Sequence, residues 1–109
     1  MSTLETFEKM LSQGKDNALL RFSLGNEYHK AGRLPEAITH LRAALDFDPR
    51  YSAAWKMLGK TLAENGETGA ALATYRQGIA AAEAKGDLQA VKEMQVFARR
   101  LEKLMGNAP

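Results

Sequence analysis

The chain is built on an internal repeat. Shifted by 34 places, the 109-residue sequence sets Leu24 on Leu58, Gly25 on Gly59, Gly32 on Gly66, Ala37 on Ala71, Ile38 on Leu72 and Leu45 on Ile79. Tyr28 meets Leu62 and Leu41 meets Tyr75, so size and polarity persist where identity lapses. A unit of this length is one supersecondary element that cannot bury its apolar face alone. The fold must therefore be a stack in which each unit covers the next.

Two full units follow, 18–51 and 52–85. Glycine adopts the left-handed conformation cheaply, so Gly32 and Gly66 suit helix ends. Pro35 suits a first helical turn, where its missing N–H costs nothing. The punctuation and the apolar spacing predict six helices, about Ser2–Gln13, Asp16–Ala31, Pro35–Phe47, Tyr51–Asn65, Thr68–Lys85 and Asp87–Met105. The connectors are short, so sequential helices pack antiparallel.

The first unit resembles the tetratricopeptide-repeat (TPR) pattern at Leu24, Gly25, Tyr28, Gly32, Ala37, Leu41, Ala44 and Pro49. The second resembles it at Trp55, Leu58, Gly59, Gly66, Ala71, Tyr75 and Gly78. The resemblance implies an all-α, antiparallel helix-turn-helix solenoid. It also implies that Gly25 and Gly59 lie inside helices beneath Leu41 and Tyr75, with Ala37 and Ala71 permitting close approach from the other side. Glycine in a helix interior costs about 1 kcal/mol relative to alanine, so such a packing reason is required. Two departures stand out: Arg21 replaces the usual Trp, and the second unit has no proline where the first has Pro49, which lets its second helix run on toward Lys85.

The flanks read as parts of further units. Leu4, Phe7, Met10 and Leu11 fall 34 places before Ile38, Leu41, Ala44 and Leu45, so residues 1–17 read as the second helix of a missing repeat. After Gly86, Asp87 suits an N-cap, and Val91, Met94, Ala98, Leu101 and Leu104–Met105 recur at helical steps. Residues 86–105 are expected to cap the stack, with 106–109 as a tail, all in one domain; removing this last helix should expose core and destabilise the whole.

Composition excludes several classes. The chain is 45% hydrophobic and 26% charged, which disfavours disorder, and its 15 basic against 13 acidic residues do not mark a nucleic-acid binder. Without cysteine there is no disulfide, Cys-ligated zinc or thiol catalysis. Glu5, Glu8 and Lys9 interrupt the first apolar stretch, so no signal peptide is read. No apolar run is long enough to cross a membrane, and a cytoplasmic location is expected. His29 and His40 stand on different helices without a third ligand, Asp46 and Asp48 belong to the turn before Pro49 and cap the next helix, and His40 is expected at the surface. Single glycines make no phosphate loop, and Glu5, Glu8, Glu36, Glu83 and Glu102 scatter over outer faces. No metal, cofactor or catalytic residue is assigned.

TPR stacks hold partners along a concave surface lined by the first helix of each repeat. The resemblance assigns to it Leu19, Phe22, Ser23, Asn26, His29 and Lys30 in the first unit and Ala53, Lys56, Met57, Lys60, Ala63 and Glu64 in the second. Lys92, Val96 and Arg99 of the last helix point away from its apolar stripe toward the same side. Phe22, Met57 and Val96 supply apolar contact, the lysines and Arg99 supply positive charge, and Glu64 and Glu93 oppose it. A protein or peptide partner is expected, with acidic residues and an apolar anchor. The carboxylate-clamp subclass is not matched, since only Asn26 fits while Phe22 and Met57 replace its lysine and second asparagine. The alternative is self-association through the terminal helices, giving a weak homo-oligomer rather than a monomer; RNA reading requires more repeats than two.

Overall fold

The computed structural model describes residues 1–106, so 107–109 of the expected tail lie outside it. Six helices form: α1 (Thr3–Ser12), α2 (Ala18–Lys30), α3 (Leu34–Phe47), α4 (Ser52–Glu64), α5 (Thr68–Lys85) and α6 (Leu88–Leu104). Each boundary lies within two residues of its expected place. The chain is an all-α solenoid of antiparallel helix pairs in which each helix packs on the next and α4 also meets α2 and α6.

Local chemistry sets the ends. Ser2 and Glu5 form a capping box, with the Glu5 N–H donating to Ser2 Oγ at 3.1 Å and the Ser2 N–H to Glu5 Oε1 at 3.0 Å. Asn17 Oδ1 caps α2 through the Leu20 N–H at 2.8 Å, and Asp87 Oδ1 caps α6 through the Ala90 N–H at 3.2 Å. Gly32 and Gly66 have φ of 75° and 80°, the left-handed values that the turns after α2 and α4 require. Asp48 departs from expectation. It accepts from the Arg50 N–H at 3.0 Å within its own turn, and Tyr51 precedes α4 as an N-cap that makes no side-chain hydrogen bond.

The core lies between paired helices. Leu24, Leu41, Leu62 and Met94 are fully buried, and one cluster runs continuously from Ile38 on α3 to Leu101 on α6. A smaller cluster holds Leu20, Leu24, Tyr28 and Ala37, with Leu4, Phe7, Met10 and Leu11 of α1 packed on its edge. α1 itself has no fully buried residue. A Cβ built on Gly25 would fall 2.6 Å from Leu41 Cγ, so the expected seating of α3 on α2 is present. Between the repeats, Trp55 Nε1 donates to the Pro49 carbonyl at 2.8 Å. α5 runs for 18 residues against 14 in α3, and this extension lets Lys85 Nζ reach the Arg50 carbonyl at 2.9 Å.

His40 is not the surface residue that its isolated position suggests. Its side chain is 12% exposed and its ring stacks on Tyr28 with centroids 5.3 Å apart. Arg21, standing where the family pattern has Trp, grips Asp16 with Nε–Oδ1 and Nη2–Oδ2 distances of 2.8 and 2.9 Å and reaches His40 Nδ1 at 3.0 Å. Guanidinium only donates, so His40 Nδ1 accepts and the neutral ring carries its proton on Nε2. Burial first, and the Arg21 charge second, hold the His40 pKa below its ordinary value. Glu8 closes the group from α1, accepting from Tyr28 Oη at 2.9 Å and lying 3.6 Å from His40 Nε2.

Candidate functional site

First-type helices α2, α4 and α6 bring partly exposed apolar side chains to one face. Phe22, Ala53, Lys56, Met57, Lys60, Glu93 and Phe97 line a cavity of about 240 Å³. A second cavity of about 360 Å³ adjoins it, lined by Lys60, Ala63, Glu64, Tyr75, Phe97, Arg100, Leu101 and Leu104. Lys60 and Phe97 line both, so the two form one groove with a shared wall.

The floor is held from behind. Phe22 rests against Tyr51 with centroids 4.9 Å apart, and Phe97 lies on Tyr75 at 5.6 Å. Arg100 places its guanidinium over the Phe97 ring at 5.7 Å, within cation–π range. Because Tyr75 is seated on Gly59, the position of Phe97 follows from the glycine that the repeat places inside α4.

Charge across the groove is partly cancelled. Lys56 Nζ reaches Glu93 Oε2 at 3.0 Å, tying α4 to α6, and His29 Nε2 meets Glu64 Oε2 at 2.7 Å, tying α2 to α4. Lys60 and Arg100 have no ion-pair partner among the described residues. They are the unpaired cations among the residues that line the two cavities.

Phe22, Lys56, Met57 and Lys60 thus come together, with His29 beside them through Glu64. Lys30 is exposed at the end of α2 and pairs with Glu27 at 3.1 Å. Asn26 does not line the groove; its Oδ1 is buried without a hydrogen-bond partner among the described residues. Leu19 lines a separate cleft with Phe7, Met10, Asn17, Leu20 and Ser23, between α1 and α2.

On α6 the groove takes different residues from those expected. Lys92, Val96 and Arg99 are exposed and outside both cavities; Glu93, Phe97, Arg100 and Leu104 line them instead. A step of one residue turns about 100° around a helix. The edge of α6 that faces α4 forms the groove wall, and the edge carrying Lys92, Val96 and Arg99 has no neighbouring first-type helix among the described residues. Phe97, which is not among the residues that the resemblance assigns to this surface, forms the wall common to both cavities.

No group of three or more His, Asp or Glu side chains among the described residues is placed to hold a metal ion. No helix among them is long and apolar enough to cross a membrane.

Comparison with known proteins agrees with this architecture. The family profile described as TPR repeat matches residues 25–66. The chain is 48% identical over 100 residues to TPR repeat-containing protein PA0015 of Pseudomonas aeruginosa strain PAO1, covering 92% of this chain and 95% of the relative. The solution structure of protein BPP2914 from Bordetella parapertussis superposes with a TM-score of 0.82 at 52% identity, over 94% of this chain and 90% of that one. A tetratricopeptide repeat domain protein from Salinibacter ruber, also solved in solution, gives 0.76 at 27% identity over 82% and 90%. With the helix pairs, the seated glycines and these similarities in place, the chain belongs to the tetratricopeptide-repeat family.

Proposed function

We propose that this protein is a non-enzymatic adaptor that holds a peptide segment of a partner protein in the groove between α2, α4 and α6. TPR proteins mediate protein–protein interaction, and this chain adds a specific surface to that general role. One observation carries the reading: Phe22, Met57 and Phe97, from three successive first-type helices, line a single open cavity. Apolar side chains kept half-exposed along one face lose water only when another molecule covers them.

The partner is acidic. Lys56 is neutralised by Glu93 within the fold, but Lys60 and Arg100 remain, and complementary charge speeds encounter and fixes register. The apolar floor supplies the anchor and the cations supply orientation.

The test is capture from a lysate of the source organism on immobilised wild type, Met57→Glu and Leu19→Glu proteins, each shown by circular dichroism to keep its helices. A protein retained by wild type and Leu19→Glu but lost from Met57→Glu is the expected result. Equal retention by all three would remove the groove from the interaction.

A further inference from the structure

Resting on the reading of this face as a peptide groove, we propose that its ligand presents one carboxylate side chain flanked on both sides by apolar side chains, so that it straddles Phe97.

The groove is two compartments rather than one. Phe97 and Lys60 belong to both, and the volumes, about 240 and 360 Å³, are unequal. The first is floored by Phe22 and Met57, the second by Tyr75 and Leu101. A ligand with one apolar anchor fills one side and leaves the other wet. Two anchors, the bulkier in the compartment walled by Leu101 and Leu104, remove water from both.

The charge sits at the divide. Glu93 already satisfies Lys56, and His29 already occupies Glu64. Lys60 lines both compartments, and Arg100, which lines the second, lies over the Phe97 ring, so both unpaired cations border the ridge that Phe97 forms between the compartments. A carboxylate between two anchors is brought to that ridge, where the surrounding apolar wall lowers the effective dielectric and strengthens the attraction. A carboxylate at the end of a single anchor does not satisfy both compartments. A polymer bearing spaced side chains does, which is why the ligand is a peptide rather than a small amphiphilic acid.

The experiment is selection from a random displayed-peptide library on wild type, on Met57→Glu, and on the double variant Lys60→Glu, Arg100→Glu. Both charged side chains are exposed, so the double variant is expected to fold, and circular dichroism checks it. Peptides enriched on wild type should carry Asp or Glu between two apolar residues. The charge-reversed protein should enrich Lys or Arg at that same place. A synthetic wild-type binder with Glu changed to Gln should lose about tenfold or more in affinity. Wild-type binders that are lost on Met57→Glu but have no acidic position, or only one apolar anchor, would overturn this ligand while leaving the groove standing. Binders that ignore Met57→Glu, or no enrichment at all, would sink the groove and this proposal with it.

Discussion

The ring of Tyr75 occupies the space that a side chain at Gly59 would need: a Cβ built there falls 2.5 Å from Cε1 and 2.6 Å from Cζ. Tyr75 is 2% exposed and cannot swing away. Gly59→Ala gains about 1 kcal/mol of helix propensity but meets an overpacking cost of about 1–3 kcal/mol. Net destabilisation of up to about 2 kcal/mol is expected. Gly69, also helical, has nothing within 4 Å of a built Cβ and no positive φ, so Gly69→Ala should stabilise by up to about 1 kcal/mol. Urea unfolding of the two variants beside wild type reads both signs.

That glycine seat shows what a single sequence can reveal. A 34-residue shift exposes Gly25 with Leu41 and Gly59 with Tyr75 because their spacing is the repeat itself. Helix number, pairing and most of the core follow from the same period. Part of the face was legible: Phe22 on α2 and Lys56, Met57 and Lys60 on α4 line the first cavity, whereas Leu19, Asn26 and Lys30 on α2 line neither. The groove was not legible on α6, where the outcome depends on which edge has a neighbour, and periodicity carries no such information. The His40 contacts were hidden for a different reason. Arg21 replaces an aromatic residue there, and its links to Asp16 and His40 join three separate segments.

Alkaline pH should destabilise the protein through Tyr75. Burial pushes its pKa up to about 12 from an ordinary 10.0. The folded state therefore holds its proton more tightly than the unfolded one. Stability is complete below about pH 10 and falls as pH rises through about 12, by an amount on the order of 2 kcal/mol. Burial raises the Tyr28 and Tyr51 hydroxyls as well, so all three tyrosines of the chain should ionise late. Tyrosinate absorbance followed alongside helical circular dichroism checks this; ionisation at the ordinary pKa in the folded protein would contradict it.

Acid should act on the opposite corner. The folded His40 pKa is lowered, by burial first and Arg21 second, so the unfolded chain takes up this proton more readily. The contribution is present above the ordinary value of about 6.5 and is lost as pH falls below it through the folded pKa. His40→Gln should flatten the pH dependence of the unfolding midpoint across this window while leaving the alkaline limb unchanged. Equal acid slopes in the variant and wild type would dismiss His40 as the cause.

The 109-residue chain should sediment as a monomer. Head-to-tail stacking is the association a solenoid invites, with α6 of one copy laid against α1 of the next as first and second helices of a composite repeat. The seating rule opposes it. Phe7 stands 34 residues before Leu41, so in such a repeat it needs the small residue that Gly25 provides for Leu41 and Gly59 for Tyr75. α6 begins at Leu88 and α4 at Ser52, and the same offset of 36 residues carries Gly59 to Gln95. Any Cβ at that place collides with the ring, and a glutamine side chain adds to the obstruction. Sedimentation at increasing concentration should show one species for wild type, and Gln95→Gly is the single change expected to promote association. A stable wild-type dimer that Phe7→Ala abolishes would show that the ends accept each other despite Gln95.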